Sequence, residues 1–150
     1  MSDFKRIYPQ ANAILEVANT TKISEKVANF ELDIGLIEGE IAHSELDVIP
    51  WREDELVVFC APNHAFAQLK NLSDENLIEA QWILRESGSG TRQAFDFAMH
   101  GILSQLNVEL ELQHTEAIKR AVESGMGIGC LSRITLQDAF KRGSLIPLHI

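Results

Sequence analysis

The sequence predicts an α/β fold, with a mostly parallel β-sheet that carries helices on both faces. Two observations support this prediction. Short apolar runs of strand length recur along the chain, and those at residues 32–39 and 126–131 are apolar enough for strands buried on both faces. After Ala80, strand-like and helix-like segments alternate, which is the order of parallel strands joined by helices.

The N-terminal part is predicted to form helices and strands in alternation. Pro9 cannot continue a helix and therefore ends the first one. Ile23, Val27 and Phe30 have helical spacing, whereas the strand segments show alternating or continuous apolar residues. The predicted elements are a helix end at residues 4–8, a strand at 11–18, a helix at 23–29, and strands at 32–39 and 46–51.

The rest of the chain is predicted from stronger helix patterns. In residues 91–106, apolar side chains recur every three or four positions, which indicates an amphipathic helix. Ser73 and Thr115 are placed to cap helix N-termini, and Gly125 and Gly143 to end helices. The predicted order is strand 55–61, helical turn 72–77, strand 82–85, helix 91–106, strand 108–113, helix 115–122, strand 126–131, helix 134–141 and strand 145–150.

The composition is that of an ordinary globular chain with one domain or two small lobes, since 45% of its residues are hydrophobic and 23% are charged. A net charge of −9 makes the chain a poor electrostatic partner for nucleic acid. No apolar run approaches the roughly 18 residues of a membrane span, and the first residues lack the apolar segment of a signal peptide. Cys60 and Cys130 share no CxxC spacing, so we expect two buried free thiols and a cytoplasmic location.

Residues 82–92 combine an apolar run, a loop of small residues and the start of a helix. Such an arrangement directs unpaired backbone N–H groups and the positive end of a helix dipole at one point, where a small anion or carboxylate can bind. The same loop also fits an ordinary turn with Thr91 as the helix N-cap. The residues that would bind the anion are Ser87, Gly88, Ser89, Gly90 and Thr91.

Two further loops are expected near this one. In open α/β sheets, ligands bind beyond the carboxyl ends of strands, where loops lead into helices. Glu38 and Gly39 follow one predicted strand, and His114 and Thr115 lead into a predicted helix. The sequence therefore predicts that these residues share one cleft with residues 87–91.

The motifs of several catalytic and cofactor sites do not match. No Lys follows residues 88–91 as in a P-loop, and Ser89 lacks the flanking glycines of a nucleophile elbow. The glycines of residues 125–129 lead into a strand, whereas those of a dinucleotide-binding loop lead into a helix. His114 and Glu116 could act as an acid–base pair, but no partner nucleophile is evident, and the five His residues lack metal-ligand spacing. We therefore expect no enzymatic activity, no metal and no cofactor.

Four blocks of sequence, spread over nearly the whole chain, resemble the effector-binding domain of LysR-type transcriptional regulators. Within that family they look most like a group of YeiE- and CysL-like regulators, which share the pattern around the Gly-Ser-Gly-Thr-Arg loop. The blocks are DIGLIEG at residues 33–39, EDELVV at 53–58, WILRESGSGTR at 82–92 and EAIKRAVESGMGIG at 116–129.

The resemblance implies a fold like that of type 2 periplasmic binding proteins, with two Rossmann-like lobes around a cleft. Residues 1–48 and 145–150 would form a first lobe that is incomplete, and residues 49–144 would form the second. A small effector, often an anion or carboxylate, would lie between the lobes. By family position, the first lobe would contribute Glu38 and Gly39, and the second would contribute Ser87, Gly88, Ser89, Gly90, Thr91, Arg92 and the helix start at His114 and Thr115.

The resemblance also implies the partners of the intact regulator. DNA would be bound only through an N-terminal winged helix-turn-helix domain, which this sequence does not contain. The first strand of the effector domain, its loop and the last helix of the first lobe are also missing from the match, so we expect apolar surface that a second copy buries in a homodimer. A stand-alone solute-binding protein of the same fold is the alternative.

Overall fold

The structure, a computed structural model, describes residues 2–150 and is built on a mixed five-stranded sheet. Its strands are β1 (Leu56–Cys60), β2 (Gln81–Arg85), β3 (Asn107–Leu112), β4 (Ile128–Ser132) and β5 (Ile146–Leu148). Their spatial order is β3-β2-β4-β1-β5. The α/β class is confirmed, but only the β2 pairings, with β3 and β4, are parallel. Because β1 runs antiparallel to both β4 and β5, the sheet is mixed and not mostly parallel.

Local residue chemistry explains where several helices begin and end. Ser73 caps α3 (Asp74–Glu79) in a capping box, in which the Ser73 hydroxyl accepts from the Asn76 N–H and the Asn76 side chain accepts from the Ser73 N–H. Gly143 ends α6 (Arg133–Arg142) with a φ of 70°, a left-handed conformation that glycine adopts without strain. The helices are α1 (Ser2–Ile7), α2 (Thr20–Ala28), α3 (Asp74–Glu79), α4 (Gly90–Ala98), α5 (Thr115–Glu123) and α6 (Arg133–Arg142).

The helix predicted for residues 91–106 is shorter in the structure. Helix α4 ends at Ala98, and a 3-10 helix follows at Leu103–Gln105. Ile102 and Leu103 still pack against the same apolar cluster as Phe95. The apolar spacing continues beyond the helix because the following turns cover the same face of the sheet.

Alternate residues of β2 face opposite sides of the sheet. Trp82 is fully buried against Phe95 of α4, with ring centroids 4.9 Å apart, and its indole N–H donates to the Leu77 carbonyl at 2.8 Å. Ile83, also fully buried, faces the other side and packs in the cluster that contains Ile118 of α5. Helices α3 and α4 thus cover one face and α5 and α6 the other, as predicted.

The N-terminal segment, residues 2–55, differs most from the prediction. Helix α2 is present, but the three predicted strands are wrong, because residues 11–18, 32–39 and 46–51 adopt no strand structure. A strand exists only where a neighbour satisfies its backbone hydrogen bonds, and no residue in the described range 2–150 pairs with these segments. Ile14 and Val17 are accordingly 86% and 87% exposed.

The last strand lies at the edge of the sheet, where β5 pairs with β1, with Val58 opposite Leu148 and Cys60 opposite Ile146. The assignment of residues 145–150 to the first lobe stays a prediction. Leu145 and Leu148 are buried in the clusters on opposite faces of the sheet. This burial stabilises the chain end against the sheet that carries α4 and α5.

Candidate ligand-binding cleft

A cavity of about 410 Å³ lies between the N-terminal segment and the loops that follow β2 and β3. Small-molecule sites commonly enclose roughly 300–1,000 Å³, so the size suits a small ligand. Because β2 and β3 are parallel, their carboxyl ends lie at the same edge of the sheet. The lining consists of residues 17–20, 22, 36–38, 85–86, 89–90 and 113–115.

Three helices begin at this cavity, namely α2 at Thr20, α4 at Gly90 and α5 at Thr115. Each helix is nine residues long, so each has a full dipole whose positive end lies at the cavity. Together the three helix starts make the cavity favourable for negative charge.

The three N-termini differ in how they are capped. Asn19 Oδ1 accepts from the backbone N–H of Lys22 in α2, and Ser89 Oγ accepts from that of Arg92 in α4. His114 occupies the N-cap position of α5 but makes no side-chain capping bond. The first backbone N–H groups of α5 therefore have no side-chain acceptor and are available to a ligand.

Hydrogen bonds join the start of α2 to the loop after β2. The Asn19 side-chain amide donates to Glu86 Oε1 at 3.1 Å. The Thr21 backbone N–H donates to the carbonyl of Gly88 at 3.1 Å. These bonds set the width of the cavity, because they fix one wall against the other.

Gly90 marks the closest approach between the two walls. A Cβ atom at Gly90 would lie 1.8 Å from the Glu38 carbonyl oxygen and 2.8 Å from Thr20 Oγ1. Thr20 Oγ1 itself donates to the Glu38 carbonyl at 2.9 Å, and Thr91 Oγ1 donates to Glu38 Oε2 at 2.5 Å. Only a residue without a Cβ atom allows the backbone at position 90 to lie this close to the Glu38 carbonyl.

The cavity is lined by as many basic as acidic side chains, although the whole chain carries a net charge of −9. Arg85 donates to both carboxylate oxygens of Glu86, at 2.9 and 3.2 Å. Burial by itself would raise the pKa of Glu86, but the hydrogen bonds from Arg85 and Asn19 outweigh it and hold that pKa below its ordinary value. Lys22 and Glu38 form no ion pair with any residue in the range 2–150.

Arg92 does not face this cavity. Its Nε donates to Asp96 at 2.8 Å, one Nη donates to the Arg85 carbonyl at 3.0 Å, and the same nitrogen also contacts the Glu111 carboxylate. The guanidinium therefore ties α4 to β2 and β3. Arg92 lines a neighbouring cavity of about 590 Å³, which shares Thr20 and Ser89 with the first.

The N-cap of α4 is Ser89 and not Thr91. The ten predicted site residues fall into three groups. Glu38, Ser89, Gly90, His114 and Thr115 line the first cavity; Ser87, Gly88 and Arg92, again with Ser89, line the neighbouring one; Gly39 and Thr91 line neither.

Sequence reasoning missed several residues that line the first cavity, above all Asn19, Thr20 and Lys22 at the start of α2, and the Arg85–Glu86 pair. A signal for the first three was present, because Asn-Thr-Thr before the periodic Ile23 and Val27 is typical of a helix N-terminus. Nothing in the sequence indicated that this helix would begin beside the loop after β2.

Across residues 2–150, no group of three or more His, Cys, Asp or Glu side chains is placed to hold a metal ion. None of the helices described is both long enough and apolar enough to cross a membrane. Cys60 and Cys130 are buried and free.

The family described as the LysR substrate binding domain matches residues 1–150. The HTH-type transcriptional regulator YeiE of Escherichia coli is 42% identical over 147 residues, which are 98% of this chain and 50% of that protein. CysL, an HTH-type transcriptional regulator of Bacillus subtilis, is 32% identical over 150 residues, covering 100% of this chain and 50% of CysL. The chain thus spans about half the length of these relatives.

A similar solved structure is the regulatory domain of CcmR from Synechocystis in complex with 2-PG. It matches with a TM-score of 0.83 and 34% identity, over 98% of this chain and 71% of that one. The effector-binding domain of QuiR in complex with shikimate shares the fold, with a TM-score of 0.81 and 19% identity, over 99% of this chain and 71% of that one.

Proposed function

This chain belongs to the LysR substrate-binding-domain family, and on that premise we propose that its 410 Å³ cavity binds a small oxyanion or carboxylate as effector. The family match and the relatives confirm the resemblance that the sequence indicated. The similar solved structure confirms the type 2 periplasmic-binding-protein-like fold. The relatives are transcriptional regulators, which favours an effector-binding domain over a stand-alone solute-binding protein.

One observation carries the choice of an anion. Three helix N-termini surround the cavity, and the α5 N-terminus lacks a side-chain acceptor. Lys22 adds a positive charge at the start of α2 that no residue in the range 2–150 pairs. An oxyanion or carboxylate could therefore accept hydrogen bonds from α5 and Lys22 without displacing an existing partner.

The whole regulator would act through parts outside this chain. DNA binding would belong to a helix-turn-helix domain, because residues 1–150 carry a net charge of −9 and repel phosphates. Pairing with a second copy is supported by the exposed apolar side chains of Ile14, Leu15 and Val17, which water solvates poorly. The regulator names of the relatives favour a sensing role without enzymatic activity.

The effector would act by shifting a conformational equilibrium. The residues that line the cavity come from both sides of the contact between the N-terminal segment and the loop after β2. A ligand that touches both sides stabilises the arrangement in which they are close. Two lobes that close around the effector would then change the spacing of attached DNA-binding domains.

Thermal denaturation with sulfate, phosphate, and small mono- and dicarboxylates, among them amino and hydroxy acids, tests the proposal. A ligand that binds only the folded chain raises the melting temperature, and at 100 times its Kd it stabilises by about 2.7 kcal/mol. At least one of these anions should raise the melting temperature of the 150-residue chain. A flat response to all of them would contradict an anion site.

The Thr115→Pro variant tests the role of α5. Proline removes one N–H donor but suits the first position of a helix, and His114 before it is extended, with φ −118° and ψ 126°. Anion affinity should fall about tenfold, since a hydrogen bond to a charged group contributes roughly 1.5–3 kcal/mol. Asp74→Pro makes the same change at the first residue of α3, outside the cavity lining, and should leave affinity unchanged. Equal losses in both variants would count against the site.

A further inference from the structure

Glu38 is the one feature of the proposed anion site that opposes an anion. Glu38 lines the cavity, and its carboxylate forms no ion pair with any described residue. An unneutralised carboxylate repels another anion, so a ligand that is only anionic would bind against this charge.

The structure holds Glu38 in this position. Its carbonyl oxygen accepts from Thr20 Oγ1 at 2.9 Å and lies against the Cα of Gly90. Its side chain is oriented by Thr91 Oγ1, which donates to Oε2 at 2.5 Å. Because the Thr20 bond holds the backbone in place, turning the carboxylate away requires a rotation of the side chain that breaks the bond from Thr91.

The other oxygen of this carboxylate is free to accept. Among residues 2–150, the only hydrogen bond that the Glu38 side chain receives is the one from Thr91, and it goes to Oε2. Lys22, which forms no ion pair with residues 2–150, supplies a positive charge to the same cavity. Glu38 therefore offers an acceptor at Oε1, and Lys22 and the start of α5 offer an anion-binding region.

We propose that Glu38 determines specificity, and that the effector carries a hydrogen-bond donor, an ammonium or hydroxyl group, beside its acidic group. The acidic group would bind at Lys22 and the α5 N-terminus, and the donor would bind Glu38 Oε1. Plain anions without a donor are selected against. This inference rests on the proposed anion site and names the class of ligand that the site accepts.

Three acids with the same carbon skeleton test it, because L-alanine, L-lactate and propionate differ only in an ammonium, a hydroxyl or a hydrogen at the second carbon. Their affinities for the 150-residue chain are measured by NMR titration, with sulfate and phosphate alongside. Alanine and lactate should bind at least about tenfold more tightly than propionate, since a hydrogen bond to a charged group contributes that much.

Glu38→Gln keeps the shape of the side chain and removes its charge. Alanine should lose most affinity, because its ammonium loses a charged partner; lactate should lose less, because the amide oxygen still accepts; propionate should bind as well or better. Glu40→Gln is the matched control, two residues along and outside the lining of this cavity, and should leave all three affinities unchanged.

The remaining outcomes separate this inference from the proposed function. If propionate binds as tightly as lactate and alanine, or if only sulfate or phosphate binds, the anion site stands and selection by Glu38 is overturned. The same conclusion follows if Glu38→Gln leaves the preference for alanine over propionate unchanged. If none of the five compounds binds the wild type, the anion site and the inference both fall.

Discussion

Replacing Gly90 by alanine would add one methyl group at the closest contact between the N-terminal segment and α4. The new Cβ would lie 1.8 Å from the Glu38 carbonyl oxygen, well inside any contact distance that atoms tolerate. Gly90 is the first residue of α4 and is followed by a regular helix. The residues around Glu38 must therefore move away from α4.

The expected change in stability follows from the bonds that this movement breaks. The Thr20 hydroxyl bond to the Glu38 carbonyl contributes about 1 kcal/mol, and the Thr91 bond to the Glu38 carboxylate contributes about 1.5–3 kcal/mol. Alanine offsets up to about 1 kcal/mol of this loss, because it favours a helix more than glycine does. The net loss of about 2 kcal/mol should lower the melting temperature by roughly 4–8 °C for a chain of 150 residues.

Circular dichroism measures the melting temperature, and amide NMR signals report where the structure changes. Signals of Thr20, Glu38 and Thr91 should shift, whereas the indole N–H of Trp82, buried in the sheet core, should not. Gly101→Ala is the control, since a Cβ at Gly101 meets nothing within 4 Å. If Gly90→Ala had the same melting temperature as the wild type and left the Glu38 signals unshifted, the close contact would be absent in solution.

Two further predictions concern the buried cysteines and the partly buried Arg92. Burial raises the pKa of Cys60 to about 11 and that of Cys130 to about 12, so neither thiol is ionised at neutral pH. A thiol reagent should therefore label both cysteines only after the chain is unfolded in guanidinium. Rapid labelling of the native chain would contradict their burial. Arg92→Lys should lower the free energy of unfolding in urea by about 1–2 kcal/mol, because lysine cannot donate to both Asp96 and the Arg85 carbonyl. The exposed Arg120→Lys should stay within about 0.5 kcal/mol of wild type, and an equal loss there would show that Arg92 is not a structural link.

The sequence by itself determined the elements whose signals are local. The Ser73 cap, the helix end at Gly143 and the α5 segment depend on residues a few positions apart, and the structure confirms them. The predicted cap of α5 is wrong, because His114 is the N-cap and Thr115 is the first helical residue. The family blocks are likewise linear patterns, and the comparisons confirm the family. The predicted convergence of loops on a cleft depends on three-dimensional placement, and the residue roles in it stay predictions.

Only the tertiary structure decided which segments pair and which side chains share a cavity. Residues 11–18 have the apolar alternation of a strand but meet no strand among the described residues, whereas the short β5 finds β1 and joins the sheet. Arg92 sits in the loop that predicted an anion site, yet its guanidinium bonds to Asp96 and the Arg85 carbonyl, while Lys22, 70 positions before it, lines the cavity. The physical reason is that strand pairing and ion-pair choice depend on partners distant in sequence, whereas capping and helical spacing depend on near neighbours.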